Sequence, residues 1–367
     1  MRFTINRELL LKPLQQVAGV VERRQTLPVL ANVLIEVSDQ RLSLTGTDLE
    51  LELVARLPLE GDGQQLGETT VPARKLLDIC KSLPAESEIR FEVDGERMVV
   101  RSGRSRFTLS TLPASDFPSL EEEVGGASLE IEPEQLRRLI DNTAFSMAQQ
   151  DVRYYLNGML LELGKNRLRA VATDGHRLAM ADAEVAGISE EVQVIVPRKG
   201  VMELARLLGD GATAIRLTVG KNHVRLVVGD ITFTTKLVDG KFPEYERVIP
   251  KDTPRRVSAD RETLRQALGR VAILSNEKYR GVRLQLSDGM LRIQANNPEQ
   301  EEAEEEVSVS FQGDELEIGF NVSYLIDVLN ALHGTEVQLQ LGDSNSSAVV
   351  VDPNTSGTLY VVMPMRL

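Results

Sequence analysis

A chain of 367 residues is long enough for two or three domains, each burying its own core, and 42% hydrophobic with 26% charged residues is ordinary for a globular protein. A formal net charge of −13 rules out a uniformly basic nucleic-acid binder, but not one whose Lys and Arg gather on a single surface. Without Trp, and with 4% aromatics, readout by base stacking is disfavoured.

No apolar run approaches the ~18 residues that cross a bilayer, so no membrane partner is expected. Met1-Arg2-Phe3-Thr4-Ile5 reads as a first strand and not as the apolar segment of a signal peptide. The single cysteine, Cys80, has no partner for an internal disulfide, which suits a reducing cytoplasm.

The first helical pattern covers Arg7–Val21 and contains Pro13, which is expected to kink or shorten it. Leu34-Ile35-Glu36-Val37 alternates as a half-buried strand does. Next comes Leu44-Thr45-Gly46-Thr47-Asp48-Leu49-Glu50-Leu51, a strand, turn and strand in the pattern of a hairpin. A second helix opens at Pro72 and is followed by alternating Ile89-Arg90-Phe91-Glu92-Val93.

This order then returns twice, with a period of about 125 residues. Opening helices recur at Glu134–Met147 and Arg261–Leu274, and alternating strands at Met159–Leu163 and Val282–Leu286. The hairpin recurs at Val171–Ala179 and Gln294–Glu301, with Asp48, Asp174 and Asn297 in equivalent places. Second helices reopen at Pro197 and at Asn321, and Phe117-Pro118 returns as Phe242-Pro243. Each copy reads strand, helix, three strands, then the same again. The period is too long for a solenoid, so an α+β chain of three equivalent domains is expected: 1–125, 126–251 and 252–367. The boundaries fall in Glu123-Val124-Gly125-Gly126 and near Pro250–Pro254, stretches of linker composition.

The second helices carry an informative stripe. Leu76, Leu77, Cys80 and Leu83 share one face in copy one and Arg74, Asp78 and Lys81 the other. Copy two sets Val201, Met202, Ala205 and Leu208 against Lys199, Glu203 and Arg206. Copy three keeps its apolar face (Leu325, Ile326, Leu329, Leu332) but carries Ser323, Asp327 and Asn330 opposite. Such a stripe fits a solvated face with intrahelical pairs of ~0.2–0.5 kcal/mol each. It equally fits helices that face a polyanion, with Arg7, Lys12, Arg137, Arg138, Arg261 and Arg265 of the opening helices added.

Over its whole length the chain resembles the β sliding clamp of bacterial DNA polymerase III. The motifs that carry the resemblance are Thr45–Glu50, Asp151-Val152-Arg153-Tyr154-Tyr155-Leu156-Asn157-Gly158, Ala172–Leu178, Leu274–Lys278, Ala295–Glu305 and the ending Val362-Met363-Pro364-Met365-Arg366-Leu367. The resemblance implies a homodimer closed head to tail into a ring, helices inside and sheets outside, around double-stranded DNA of any sequence. Twelve helices at ~10 Å each span a circle of about 120 Å, leaving a hole of roughly 28 Å for a duplex body of about 20 Å. The ring would act as a processivity factor in DNA replication. DNA would be held topologically while loose phosphate contacts let the ring slide. By the same resemblance, Arg24, Arg74, Gln150, Tyr154, Tyr155 and Lys199 contact DNA, and Phe107 and Leu109 meet Ile273 and Leu274 across the dimer interface. Tyr154-Tyr155 also reads as one buried and one exposed tyrosine at a strand start.

The family binds short peptides of DNA polymerase III subunits, the clamp loader, other DNA polymerases and repair proteins. The matching pocket positions from the second domain are Leu156, Thr173, Gly175, His176, Arg177 and Leu178. Those between the domains and from the third are Pro243, Arg247, Val248, Asn321, Tyr324 and Ser347. The last strand and tail give Val361, Val362, Met363, Pro364, Met365 and Arg366, although Val361-Val362-Met363 alone also reads as a core strand. Flexible methionines suit a surface that accepts several partners.

Asp174-Gly175-His176 invites a catalytic reading, with a carboxylate orienting a general base. No nucleophile elbow or G-x-x-x-x-G-K-[ST] loop accompanies it, and His176, His223 and His333 lack metal-ligand spacing, so no enzyme, metal or cofactor is expected. Glu299–Glu306 contains six glutamates and reads as a solvated strand or loop that keeps DNA off the outer surface. The competing classes are a repeat protein that scaffolds an acidic partner without encircling DNA, and a hydrolase that uses His176.

Overall fold

The computed structural model describes residues 1–22, 27–61, 63–120, 125–188, 190–209 and 215–366. The first copy runs β1 (Arg2–Asn6), α1 (Arg7–Val20), β2 (Asn32–Ser38), β3 (Arg41–Thr47), β4 (Leu51–Pro58), β5 (Gly67–Pro72), α2 (Ala73–Ser82), β6 (Glu88–Asp94), β7 (Arg97–Ser102) and β8 (Ser105–Ser110). The second runs β9 (Ala127–Ile131), α3 (Pro133–Thr143), β10 (Gly158–Gly164), β11 (Arg167–Thr173), β12 (Arg177–Glu184), β13 (Val192–Pro197), α4 (Arg198–Leu207), β14 (Ile215–Val219), β15 (His223–Val228) and β16 (Ile231–Lys236). The third runs β17 (Arg255–Asp260), α5 (Arg261–Ala272), β18 (Gly281–Ser287), β19 (Met290–Asn296), β20 (Glu302–Ser308), β21 (Leu316–Asn321), α6 (Val322–Ala331), β22 (Glu336–Leu341), β23 (Ala348–Val351) and β24 (Thr358–Val362).

The thrice-written stretch is a turn built by its own side chains. Asp48 Oδ1 accepts from Glu50 N and Leu51 N, and Asp174 Oδ1 accepts from His176 N and Arg177 N. Asn297 Oδ1 accepts from Glu301 N in the third copy. Thr47 and Thr173 each donate to a carbonyl four residues on, that of Leu51 and of Arg177. Every copy passes through a left-handed residue here, Leu49 at φ 78°, Gly175 at φ 90° and Gln300 at φ 64°. Short polar side chains that satisfy turn amides explain why this stretch recurs.

Several sequence expectations need correction. Pro13 does not shorten α1, which runs 14 residues through it, because burial of Leu10, Leu14, Val17, Ala18 and Val20 outweighs one lost backbone bond. The helix α3 ends at Thr143 and tightens into a 3-10 turn at Ala144–Ser146. In α4 Met202 is half exposed, and Val201, Leu204, Leu207 and Leu208 form the buried face. Arg7 and Arg261, read from sequence as free cations, are engaged within the chain. Arg7 Nε donates to the Cys80 carbonyl, and Arg261 Nη1 to the Leu329 carbonyl, so each caps the C-terminus of its neighbouring helix.

Among the described residues the strands assemble into two sheets of four and two of eight, divided between two compact units. Unit 1 holds Met1–Pro133 and Met202–Leu237, and unit 2 holds Glu134–Val201 and Val238–Leu367. In unit 1 the sheet β5-β2-β3-β4 continues into β16-β15-β14-β9 through an antiparallel β4–β16 seam. In unit 2 the sheet β13-β10-β11-β12 continues into β24-β23-β22-β17 through β12–β24. Within each unit a seam thus joins successive copies with the same register: Leu53 faces Phe233, and Ala179 faces Tyr360. Both aromatics are fully buried. The four-stranded sheets β1-β6-β7-β8 and β20-β19-β18-β21 keep the equivalent edges, β8 and β20, unpaired among the described residues.

Glu52, on β4 at the first seam, is 8% exposed and accepts from Leu120 N. Burial raises its pKa above the ordinary carboxylate value, so ionisation opposes folding. A Glu52→Gln chain keeps an acceptor and loses that penalty. Its unfolding midpoint in urea should rise relative to the parent as pH climbs from 4 to 7, and the difference should vanish below the unfolded carboxylate pKa.

Candidate functional site

Unit 2 contains a cavity of about 420 Å³ with mostly apolar walls. Its lining combines Leu156, Thr173, Gly175, Arg177, Leu178, Pro243, Val248, Ser347, Val361 and Met363 with Arg153, Tyr155 and Tyr245. The floor is a packed cluster of Leu160, Val171, Leu178, Ile195, Phe242, Tyr245 and Val361. Met363 is 48% and Val248 56% exposed, so apolar surface stands open to solvent at the rim. Gly175 has φ 90°, and a Cβ there would lie 3.0 Å from the Arg153 guanidinium. That guanidinium is held in turn by Asp151, whose carboxyl the ion pair lowers to about 2.

Arg177 ties this cavity to the second seam. Its Nε donates to Asp174 Oδ2, its Nη1 to Asp327 Oδ2 at 2.5 Å and its Nη2 to the Phe145 carbonyl at 2.7 Å. The guanidinium also lies 4.6 Å from the ring centre of Tyr324 and 5.4 Å from that of Phe145. The His176 ring lies roughly parallel to that of Tyr324, with centroids 6.4 Å apart.

Of the eighteen expected pocket residues, ten line the cavity. Val362 is a correction: alternation along β24 turns Val361 into the cavity and Val362 into the third copy's core. Asn321 is spent capping α6, accepting from Ser323 N and Tyr324 N. Arg247 is exposed and paired with Glu244. Met365 and Arg366 line a separate cavity of about 490 Å³ with Asn276, Tyr279 and Asn297, while Pro364 and the His176–Tyr324 stack lie outside the main lining. Arg153 and Tyr245 were not singled out from sequence. Tyr245 carried a signal, since an aromatic three residues after Phe242 in a linker must find cover.

The residues expected at DNA scatter more. Arg74 is exposed on α2 in unit 1, and Gln150 and Tyr154 are exposed in unit 2. Tyr155 is half buried in the cavity wall while Tyr154 points out. Lys199 is half buried, and Arg24 lies outside the described residues. At the expected dimer contact Ile273 is 75% exposed, Phe107 and Leu274 are half buried, and Leu109 is already buried within its own chain. The acidic run is also less open than expected. Glu305 turns to Arg270 on α5, while Glu304 and Glu306 pair with Arg292.

Tandem copies of one helix-backed sheet with an open apolar cavity define a multidomain binding protein. Three family models match: the DNA polymerase III beta subunit N-terminal domain over residues 1–121, its central domain over 130–244 and its C-terminal domain over 246–366. The chain is 62% identical to the beta sliding clamp of Pseudomonas putida and 55% identical to that of Escherichia coli K12, covering all of both chains. It superposes on a crystal structure of the DNA polymerase III subunit beta from Pseudomonas aeruginosa with a TM-score of 0.98 at 62% identity, covering all of both chains. A P. aeruginosa sliding clamp bound to griselimycin gives 0.97 at 62%, again over both whole chains. The chain belongs to the DNA polymerase III beta-subunit family, and is a non-enzymatic sliding clamp of DNA replication.

Arg177 is 11% exposed and is shared by two carboxylates, so truncation removes the cation that both pair with beside the seam. Arg177→Ala should lower the chain's unfolding free energy by ~3 kcal/mol in urea titration, with Asp327→Asn costing less because Asp327 is 40% exposed.

Proposed function

We propose that two copies close head to tail through β8 and β20 into a ring around double-stranded DNA, and that the cavity in unit 2 tethers peptides of polymerases, the clamp loader and repair proteins. The observation that carries the ring is the repeat of the seams. Phe107 occupies on β8 the place of Phe233 on β16 and Tyr360 on β24, yet it is half buried where they are fully buried. Ala303 on β20 is likewise half buried where Leu53 and Ala179 are covered. A partner strand supplies the missing cover. Carrying the seam register across places Phe107 opposite Ala303, Arg106 opposite Glu304 and Thr108 opposite Glu302 of the second copy.

Charge supports the same pairing. β8 and its hairpin partner expose Arg97, Arg101, Arg104 and Arg106, while β20 exposes Glu302, Glu304 and Glu306. Opposite charges directly across a strand pair contribute about 0.2–1 kcal/mol each, and like-sign edges repel identical pairings. Two unlike edges on one chain make a heterologous contact, which closes after two copies if the rotation allows.

The domains we assign are 1–125, 126–251 and 252–367, supported by the three consecutive family matches. Exposed Arg74, Lys75 and Lys81 make α2 the cationic face we assign to DNA, with Gln150, Tyr154 and Lys199 added from unit 2. Phosphate contacts of this kind are independent of sequence. The compartment we assign is the cytoplasm, in keeping with an unpaired, buried Cys80. Among the described residues no helix is long and apolar enough to cross a membrane.

Retention on DNA tests the ring. Once loaded, the protein should stay on a nicked circle through a high-salt wash and leave within minutes of linearisation. Equal loss from circle and line would indicate a surface binder.

A further inference from the structure

One wall of the unit 2 cavity is a linker, Phe242–Ile249, and a linker wall needs something to fix it. Phe242 and the ring of Tyr245 are buried in the floor cluster, and among the described residues the Tyr245 hydroxyl adds side-chain hydrogen bonds from the linker to the sheet. The ring of Tyr245 faces the cavity and its floor, but its hydroxyl points away, donating to Glu162 Oε2 on β10 and accepting from Arg169 Nη1 at 3.1 Å on β11. Arg169 is in turn fixed by a forked pair to Asp182 on β12, at 2.6 and 2.9 Å, with Glu246 of the linker 3.6 Å away. Only 6% of Tyr245 is exposed.

The copies show that this arrangement belongs to one place. Glu36, Glu162 and Gln285 are equivalent on β2, β10 and β18, as are Ser43, Arg169 and Arg292 on β3, β11 and β19. Copy three keeps the cross-strand arginine–acid pair, Arg292 with Glu306, without a tyrosine on it among the described residues. Copy one has Ser43 in the arginine's place, and its linker carries Leu120 after Phe117-Pro118 where the second linker carries Tyr245 after Phe242-Pro243. The arginine, the acid and the tyrosine therefore occur together only where the linker borders the cavity.

We infer that Glu162, Arg169 and Tyr245 form a latch that holds residues 243–248 as a preformed wall of the ligand cavity, so that Glu162 and Arg169 are positioning residues for partner binding although neither lines it. The inference rests on the cavity being the partner site. Preorganisation lowers the ordering cost of binding, so a broken latch acts mainly through faster release. Burial and donation to Glu162 push the Tyr245 phenol up to about 12.

Immobilised griselimycin and amide exchange of the full-length protein test this together, with Leu178→Asp as the variant that locates binding in the cavity. Glu162→Ala should release griselimycin about tenfold faster and lose exchange protection at residues 244–248 well beyond any loss in the rest of the chain. Glu162→Gln, whose amide oxygen still accepts, should restore both. Parental release and parental protection in Glu162→Ala overturn the latch, as does a Gln variant no better than Ala. If the parent itself does not bind griselimycin, or Leu178→Asp binds as the parent does, the reading of the cavity fails. Exchange at 244–248 then still decides the latch.

Discussion

The backbone edge of a β-sheet is the constraint on which this structure depends. Each four-stranded block ends in a strand whose N–H and C=O groups point at nothing in their own block, and an apolar row lies beneath. The chain resolves this twice by seaming one copy's block to the next, β4 to β16 and β12 to β24. Helix α1 packs on β3 and β4 and so supports the first seam on one face, while α5 packs in the same way on β19 and β20 behind an edge that has no seam within the chain's described residues. A third pair of like edges, β8 and β20, is left by the same arithmetic of repetition. Closure by a second copy is the way to satisfy them that needs no new chemistry.

Repetition also shows where function departed from architecture. Residues in equivalent places build turns and caps: Asp48, Asp174 and Asn297 at the hairpins of all three copies, and Arg7 and Arg261 at helix ends in the first and third. Residues peculiar to the second seam build the cavity. Arg177 stands where the first copy has Leu51 and the tyrosine latch stands where the first copy has Leu120 and Ser43. A scaffold repeated for closure has thus been specialised at one joint for binding.

Much of the fold was legible because its signals are local. Alternation on β2, β10 and β18 and the Asx turns after β3, β11 and β19 each depend on a few neighbouring residues, and the three copies check one another. The pairing of strands from different copies was not legible. It depends on which edges meet in space, and β8 and β16 differ little in pattern. Charged residues misled for a related reason. Sequence shows Arg7, Arg261 and Glu305 as charges on helices or in an acidic run, but only the fold shows Arg7 and Arg261 consumed by helix carbonyls and Glu305 by Arg270. Of the floor the resemblance named Leu178 and Val361, and it did not name Tyr245, whose hydroxyl acts through Glu162 and Arg169 on other strands.

Cross-linking of edge cysteines tests the closure most directly. Cys80 is buried, with its thiol pushed up to about 12, so it stays out of the reaction. Thr108→Cys combined with Glu302→Cys places thiols opposite each other in the register carried over from β4–β16 and β12–β24. Mild oxidation should convert the protein to a covalent species of twice 40.6 kDa that no longer leaves a circular DNA in denaturant. A chain that stays monomeric under oxidation, or links into open oligomers without end, would contradict the account.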